Sequence, residues 1–567
     1  MTIRGAAALM AVEYRNCPAA RWAAPRCGRR TCPARRIAHD PGSRPPRRGR
    51  PYDCGVQRLA APAVDRRALM HLAALAGGFA FAFAVAYVMV HPIAASPVGY
   101  DTAGSVLYFE RLIHGQVLEQ PYGATPKPAM TVLDGLLFAV YGWSAISLAA
   151  VAAFAAVVTL GAELARRVAG PAAAVFAFVA LLGSRPLLLD ASTAYAVSWA
   201  ALWLIVAGFA MTAERTRYLV VGLALCMATL TRLESIVVGA GAIAAVAAWR
   251  WLGPRFGLRP APRGAWLVGL GFLAVPVMLV HDWLLIRDPF YWASVSATYS
   301  AGDPASVRTP VQLSIWLAGH YGAMALLVIL ACAGAALLLR RRQWAVATGL
   351  ALLGPGIGLF LLVLAARVTY VSARYVYLVD VAVTFAAAVG FSAVRVPELA
   401  GQWRRHARLV TAAALFGSAA VAVCAAVPYG PLDAATRRSV FDQRIVSANL
   451  RVVEPLLRRE LQGSGGSNGA PPRIVAPGLW TPLIIVDFKL RIPEVGVPHF
   501  TADGNAYAPW LLRAGQLIYH DRTGDPKNGA AAALESEGPA TMGAFTLTRI
   551  ASDPAAWWWL YRVSAQP

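Results

Sequence analysis

The sequence predicts a mainly α fold: a polytopic bundle of about eleven membrane-spanning helices, followed by an extramembrane α/β domain. Three observations carry that prediction. The 567 residues are 58% hydrophobic and only 14% charged, with a mean hydropathy of +0.53, whereas an ordinary soluble domain carries about 25% charged residues. The apolar residues are gathered in blocks, several of which reach the ~20 residues that cross a bilayer core. Short arginine-rich breaks separate those blocks. A purely water-soluble globule is excluded.

The first element, 1–68, holds 15 Arg against four acids (Glu13, Asp40, Asp53 and Asp65) and no apolar periodicity. Such a composition predicts disorder. It lacks the short apolar core and small-residue cleavage site of a signal peptide. Two readings stand side by side. One is a non-functional extension, with Met70 or an upstream alternative codon as the true start. The other is a basic tail on anionic lipid, in which Arg66 and Arg67 would take part.

The bundle, 69–427, contains candidate spans at 69–91, 144–165, 170–189, 190–212, 217–231, 235–251, 265–286, 311–339, 345–366, 375–394 and 408–427. A further apolar stretch, 129–142, is short for a crossing at about 14 residues. Charge decides its place. Arg66/Arg67, Arg166/Arg167, Arg215/Arg217, Arg250/Arg255/Arg259/Arg263, Arg340/Arg341/Arg342 and Arg395/Arg404/Arg405 share the cytoplasmic side only if 129–142 lies in the interface as an amphipathic helix. The amino terminus is then inside and the carboxyl terminus outside. Three sizeable segments face outward: 92–143, 287–310 and 428–567. The first is predicted to contain a helix over Ala103–His114, a Pro/Gly-rich turn and the interfacial helix.

The last segment, 428–567, opens with an amphipathic helix near 433–461 and a Gly/Ser linker at Gly463–Gly469. Strand-like runs follow at Arg473–Ala476, Glu494–Pro498, Gln516–Tyr519, Phe545–Ile550 and Trp559–Val563. Alternation of these with helical or loop stretches predicts a small α/β domain whose strand order cannot be read.

The net charge of +23 does not point to nucleic acid, because the arginines sit in the leader and in short loops where they set orientation. Cys17, Cys27, Cys32 and Cys54 lie in the leader and Cys226, Cys332 and Cys424 in apolar blocks. None has zinc spacing, and no disulfide framework is implied. Abundant Arg, Ala and Pro with scarce Lys fits a GC-rich bacterial source.

Candidate chemistry gathers at span ends on the outward side. Asp101 follows the first span and is placed to act as a general base, to bind a cation, or to cap the helix after it. Lys127, in Pro126-Lys127-Pro128, is one of only three lysines against 49 arginines. Its compact ammonium suits a phosphate, the alternative being an interfacial snorkelling lysine. Asp190 sits in a tight gap between two spans, as a functional carboxylate or a helix cap. Arg232 with Glu234, Arg367, and Arg374-Tyr375 lie at outward junctions. Outward arginines run against the orientation bias, so each calls for a reason, such as an anionic headgroup or an internal ion pair like Arg232–Glu234. Asp282, Arg287 and Asp288 close the seventh span. His91, His114, His281 and His320 show no metal-binding spacing.

In this order and on this side, these residues resemble the GT-C glycosyltransferases of the protein O-mannosyltransferase, aminoarabinose transferase and Rgt-like group. The resemblance covers about 69–400. It rests on the first-loop Asp, the Lys-Pro pair opening an interfacial helix, LLLDAST at Leu187–Thr193, ATLTRLES at Ala228–Ser235, IRDPFYW at Ile286–Trp292 and ARYVYL at Ala373–Leu378. It implies transfer of a sugar from a polyprenyl-phosphate donor to a glycan, lipid or protein acceptor at the extracytoplasmic membrane face, with membrane lipids as further partners.

Carried over by position, Asp101 becomes the base for the acceptor hydroxyl or a ligand for a divalent cation, and Lys127 the donor-phosphate contact. Asp190 becomes a second catalytic carboxylate. Arg232 or Arg374, with Tyr375, would meet the phosphate leaving group. Many relatives have two acids in the first-loop motif, but here Thr102 follows Asp101, which bears on metal use. Other readings are a catalytically inactive GT-C-like binding or assembly subunit, a polyprenyl-lipid polymerase or ligase, and a transporter. A transporter would place ionisable groups near mid-bilayer and show repeated halves; Asp380 is the main group so placed.

Overall fold

Proline and glycine punctuate the apolar blocks, and the helices begin and end at them. The structure is a computed structural model that describes residues 66–94, 99–118, 125–213, 215–257, 260–293, 309–366, 373–392, 452–462, 473–476, 481–496, 514–521, 540–542, 544–552 and 558–566. Pro128, Pro171, Pro186 and Pro310 each sit in the first turn of a helix, where the missing N–H loses no bond. The helix Arg66–Ala94 packs on Pro128–Ala169, which in turn packs on Pro171–Leu182 and Val197–Thr212.

By length and composition, five helices among the described residues can cross a membrane: Ala68–Met89, Pro128–Ala169, Leu233–Arg255, Arg263–Ile286 and Trp344–Val363. Counting two bent pairs as spans gives up to seven, and Val197–Thr212, Tyr218–Thr231 and Tyr377–Phe391 are shorter apolar helices. The expected span 408–427, the leader 1–65 and the linker Gly463–Gly469 lie outside the described residues. The buried core is rich in Ala, Val and Leu around Phe154 and Phe176, and small side chains let helices approach closely. Large apolar side chains such as Leu72, Phe81, Val88, Val280, Ile329 and Leu359 are exposed. A surface of this kind is matched by lipid rather than by water.

Three boundaries differ from the sequence reading. The stretches 129–142 and 144–165 form one 42-residue helix, kinked at Tyr141–Gly142, where Gly142 has φ +64°. Glycine takes that conformation without a Cβ penalty, so helical hydrogen bonding resumes beyond the kink. The stretch 311–339 is not one straight helix but two, Pro310–Ala323 and Ala325–Arg340, bent by 89°. Gly319 and Gly322 weaken the last turns of the first helix, and His320 Nε2 binds Asp380 Oδ1 at 3.0 Å, tying that helix to Tyr377–Phe391. The boundary expected at 189/190 is also displaced. Pro171–Leu182 stops at Gly183, Arg185–Thr193 follows, and the next helix starts at Val197.

The carboxyl-terminal part builds a six-stranded sheet in the order β2-β1-β3-β6-β5-β4. Its strands are β1 Ile474–Val475, β2 Val495–Gly496, β3 Leu517–Asp521, β4 Ala540–Met542, β5 Phe545–Ser552 and β6 Trp558–Ala565. The β2-β1-β3 side is parallel and the β3-β6-β5-β4 side antiparallel, with a register shift between Arg549 and Ala551. β4 is the strand that the sequence does not predict. Buried Trp558, Trp559, Leu560 and Tyr561 give β6 an apolar run in mid-sheet.

The helix Tyr100–Ile113 joins the two parts. It packs against Pro128–Ala169 on one side and against Thr481–Phe488, a helix of the sheet region, on the other. Trp143, just past the kink, donates its indole N–H to Asp487 Oδ1 at 2.8 Å. Burial pushes the Asp487 carboxyl up to about 6, against the opposing effect of the Trp143 hydrogen bond.

Candidate active site

Asp101 lies in the first turn of Tyr100–Ile113, whose N-cap residue is Gly99. The start of this helix is bolted to the turn after Asp190. Gly99 N–H donates to Thr193 O at 2.8 Å, and the buried Thr102 hydroxyl donates to Ala194 O at 2.9 Å. These bonds fix the backbone that carries Asp101.

Lys127 is the residue before Pro128, in extended conformation with φ −135°, as the following proline favours. Its Nζ stands 3.0 Å from Asp101 Oδ2 and 3.4 Å from Thr125 O. The two side chains retain 16% and 20% of their exposure, so solvent or a ligand reaches this pair. A close approach of helices lies behind the pairing: a Cβ on Gly135 would fall 2.0 Å from the Phe109 ring. Only glycine lets Pro128–Ala169 and Tyr100–Ile113 pack this tightly.

Asp190 is buried and turned inward. Its Oδ1 accepts the Val197 N–H at 3.0 Å, and its Oδ2 accepts the Ser198 N–H and hydroxyl, both at 2.8 Å. These bonds satisfy the open amides of the helix Val197–Thr212, which is the capping alternative. Arg232 is the cation whose charge bears on Asp190. Its Nε donates to Glu234 Oε1, both residues being buried, and its guanidinium lies 5.6 Å from the Tyr375 ring centroid. The backbone of Arg374 belongs to the 3-10 turn Ala373–Val376, and its side chain lies outside the described residues.

The sequence-predicted residues thus fall into two linked groups, Asp101 with Lys127 and Asp190 with Arg232 and Tyr375. The turn Asp190–Ala194 bonds directly to the Asp101 segment. Ala129, two residues past Lys127, and Leu233, next to Arg232, pack against the same cluster of Cys226, Leu230, Ala274 and Met278. Asp282 is fully buried and accepts the Trp292 N–H at 2.8 Å, while its other oxygen lies 3.1 Å from His281 Nδ1. Among the described residues, no group of three or more His, Cys, Asp or Glu could hold a metal ion. Asp101 meets the protein's own ammonium at this position.

Sequence reasoning missed Thr131 and Asp134, both buried on the helix that Lys127 opens. Their signal is spacing: they follow Lys127 by four and seven residues, on one helical face. Reading that stretch as a plain interfacial helix hid it.

Among solved structures, the chain is similar to ArnT from Cupriavidus metallidurans bound to undecaprenyl phosphate. The identity is 14% over 87% of this chain and 98% of that one, with a TM-score of 0.43. For the apo state of the same protein these values are 14%, 87%, 98% and 0.45. The apo Archaeoglobus fulgidus oligosaccharyltransferase is 13% identical over 79% of this chain and 69% of that one, with a TM-score of 0.45. No protein-family model and no curated protein matches the chain.

Proposed function

We propose that the protein is an integral-membrane glycosyltransferase that moves a sugar from a polyprenyl-phosphate donor to an acceptor hydroxyl at the extracytoplasmic face. The observation that carries this reading is the part-buried Asp101–Lys127 pair at 3.0 Å. It brings a base and a compact cation together at the start of an apolar helix. Undecaprenyl phosphate, bound in the ArnT structure, is a carrier of the class proposed. One helix supports the orientation: Arg166 and Arg167 stand at the end of Pro128–Ala169 opposite Lys127, and arginines favour the cytoplasmic side.

In this reading the acceptor oxygen attacks the anomeric carbon and the bond from that carbon to the phosphate oxygen breaks. Asp101 takes the hydroxyl proton. The phosphodiester monoanion leaves as a phosphate monoester with one more negative charge, which Lys127 stabilises. A cation that meets charge appearing only during reaction lowers the barrier rather than merely tightening binding. Arg232 and Arg374 are the further cations assigned to the leaving phosphate, with the neutral ring of Tyr375 beside the Arg232 guanidinium. Asp190, committed to three inward hydrogen bonds, holds the turn that positions Asp101 instead of touching substrate.

Incubating the purified protein with labelled polyprenyl-phosphate sugars tests the proposal. Consumption of the lipid donor by wild type, lost in a folded Asp101→Asn variant, is the expected result. Wild type that leaves every hexosyl and pentosyl donor intact would overturn it, as would an Asp101→Asn enzyme with near-normal turnover.

A further inference from the structure

Within the bundle, four helices leave a groove of about 710 Å³ between them. They are Pro128–Ala169, Val197–Thr212, Trp344–Ala351 and Tyr377–Phe391, and Leu164, Ala201, Val346, Gly349 and Phe385 are among the walls. Among the described residues that line it, Thr212 alone has a polar side chain, and its hydroxyl is turned back onto Gly208 O at 2.9 Å. Cavities of about 300–1,000 Å³ with mainly apolar walls are of ligand size. At membrane depth, the ligand that such walls favour is a hydrocarbon chain.

One end of this groove is basic. Arg167 follows Leu164 by three residues, Arg215 follows Thr212 by three, and Arg342 precedes Val346 by four. The three walls converge at that end. The Arg167 guanidinium lies 4.7 Å from the ring centroid of Phe209, the neighbour of Gly208 in the wall. Arg217 N–H donates to Ala210 O at 3.1 Å, which folds that break back on the end of Val197–Thr212. A Cβ on Gly349 would stand 3.6 Å from Met211 Cε, so Trp344–Ala351 reaches the same place. The breaks together carry Arg166, Arg167, Arg215, Arg217, Arg340, Arg341 and Arg342 against Glu163 and Glu214.

Arg342 stands apart from the others. Its φ is +55°, in the turn between Ala325–Arg340 and Trp344–Ala351. Its N–H donates to Leu339 O at 3.0 Å and the Gln343 N–H donates to Leu338 O at 2.9 Å, closing the helix end. Glycine makes such a closure without strain. What arginine adds there is charge.

We propose that the groove is a binding site for an anionic glycerophospholipid. One acyl chain lies between the helices, and the phosphate rests among the arginines at the basic end, Arg342 and Arg217 foremost. Charge complementarity selects this occupant, because basic pockets between membrane helices hold anionic headgroups. A zwitterionic lipid would bring its own cation to the same arginines. Arg166 and Arg167 stand at the end of Pro128–Ala169 opposite Lys127, so this phosphate position is separate from the candidate active site. The inference does not depend on the reaction proposed there.

The test is native mass spectrometry of the full chain in detergent, titrated with dioleoyl phosphatidylglycerol or dioleoyl phosphatidylcholine. The thermal midpoint of the lipid-free protein is read alongside. Wild type is expected to bind phosphatidylglycerol at least about fivefold more tightly, the effect of one arginine near an anionic headgroup. Arg342→Gly should weaken phosphatidylglycerol by about fivefold and leave phosphatidylcholine unchanged. It should also raise the lipid-free midpoint, because glycine accepts the positive φ. Gly349→Leu puts a side chain into the groove from a helical position that suits leucine. It should weaken both lipids by about tenfold, as if two chain methylenes had lost their burial. If Arg342→Gly folds poorly, Arg217→Gln at an exposed position reads the same charge effect. Equal wild-type affinity for the two lipids would overturn the proposal, as would undiminished phosphatidylglycerol binding in the arginine variants or in Gly349→Leu. Displacement of bound phosphatidylglycerol by undecaprenyl phosphate would overturn it too, making the groove a seat for a polyprenyl chain.

Discussion

The helix Pro128–Ala169 carries an ionic cluster at each end, and the two are built differently. At its carboxyl-terminal end, Glu163 accepts from Arg166 Nε at 2.6 Å, Arg166 Nη2 at 2.8 Å and Arg167 Nε at 3.0 Å. His71 Nε2 stands 3.4 Å away. The arginine contacts are local, three and four residues apart on one face, and the carboxylate is fully used. At the amino-terminal end, Lys127 makes one ionic contact, to a residue 26 positions away, and two buried polar atoms beyond it have no partner among the described residues. A saturated local cluster fixes a helix end. A part-buried pair assembled from distant segments is open to a ligand in a way that a saturated surface cluster is not, and perturbed groups of that kind mark candidate sites.

Four substitutions break or sharpen this contrast. The largest effect is expected from Asp101→Asn, which removes the proposed base. Donor consumption should fall by about 10²–10⁴-fold, the usual contribution of general-base catalysis, with the thermal midpoint little changed. Next is Asp190→Ala, which strips the amides of Val197 and Ser198 of their acceptor. We expect a loss of about 1–3 kcal/mol in a denaturation measurement, with activity falling as the Asp101 segment loosens. An Asp190→Ala protein of full stability but no turnover would instead restore Asp190 to a direct catalytic role.

The third substitution, Asp487→Asn, probes the tie between the sheet and the kink at Gly142. With a folded-state value of about 6 against an ordinary 3.8, the folded state holds more protons than the unfolded one between these limits. Stability therefore falls as pH rises from about 4 to about 6, by up to about 3 kcal/mol. Asparagine can still accept from Trp143 but carries no charge. Its thermal midpoint relative to wild type is expected to be higher at pH 7 than at pH 4, and a constant offset would refute the assignment. Smallest of all, Glu163→Gln at the far end should leave donor consumption within about twofold, as for a substitution outside the reacting groups. A larger fall would erase the distinction between the two ends.

Much of this site was legible in the chain. Asp101 stood out as an acid beside an apolar block, and Lys127 as a lysine in a sequence that otherwise prefers arginine. The family resemblance implied that they share a site, and they meet at 3.0 Å. Asp190 and Arg232 were legible as unusual residues at block ends, but their bonding was not. Whether an acid caps a helix or faces a ligand depends on where backbone amides seven and eight residues away turn. Asp134 did not stand out in the sequence. Its burial depends on Phe109 and Gly135 bringing two helices into contact.

The sequence by itself determined the apolar blocks, the arginine breaks, the proline starts and the existence of strands near the carboxyl terminus. Each depends on composition and spacing within a few residues, where hydrophobicity and backbone stereochemistry act locally. Only the tertiary structure decided the 89° bend at Met324, the mixed strand order of the sheet and which carboxylate is spent on backbone amides. These depend on groups far apart in the chain coming within hydrogen-bond distance, and no local pattern records which of several polar groups will win a given partner.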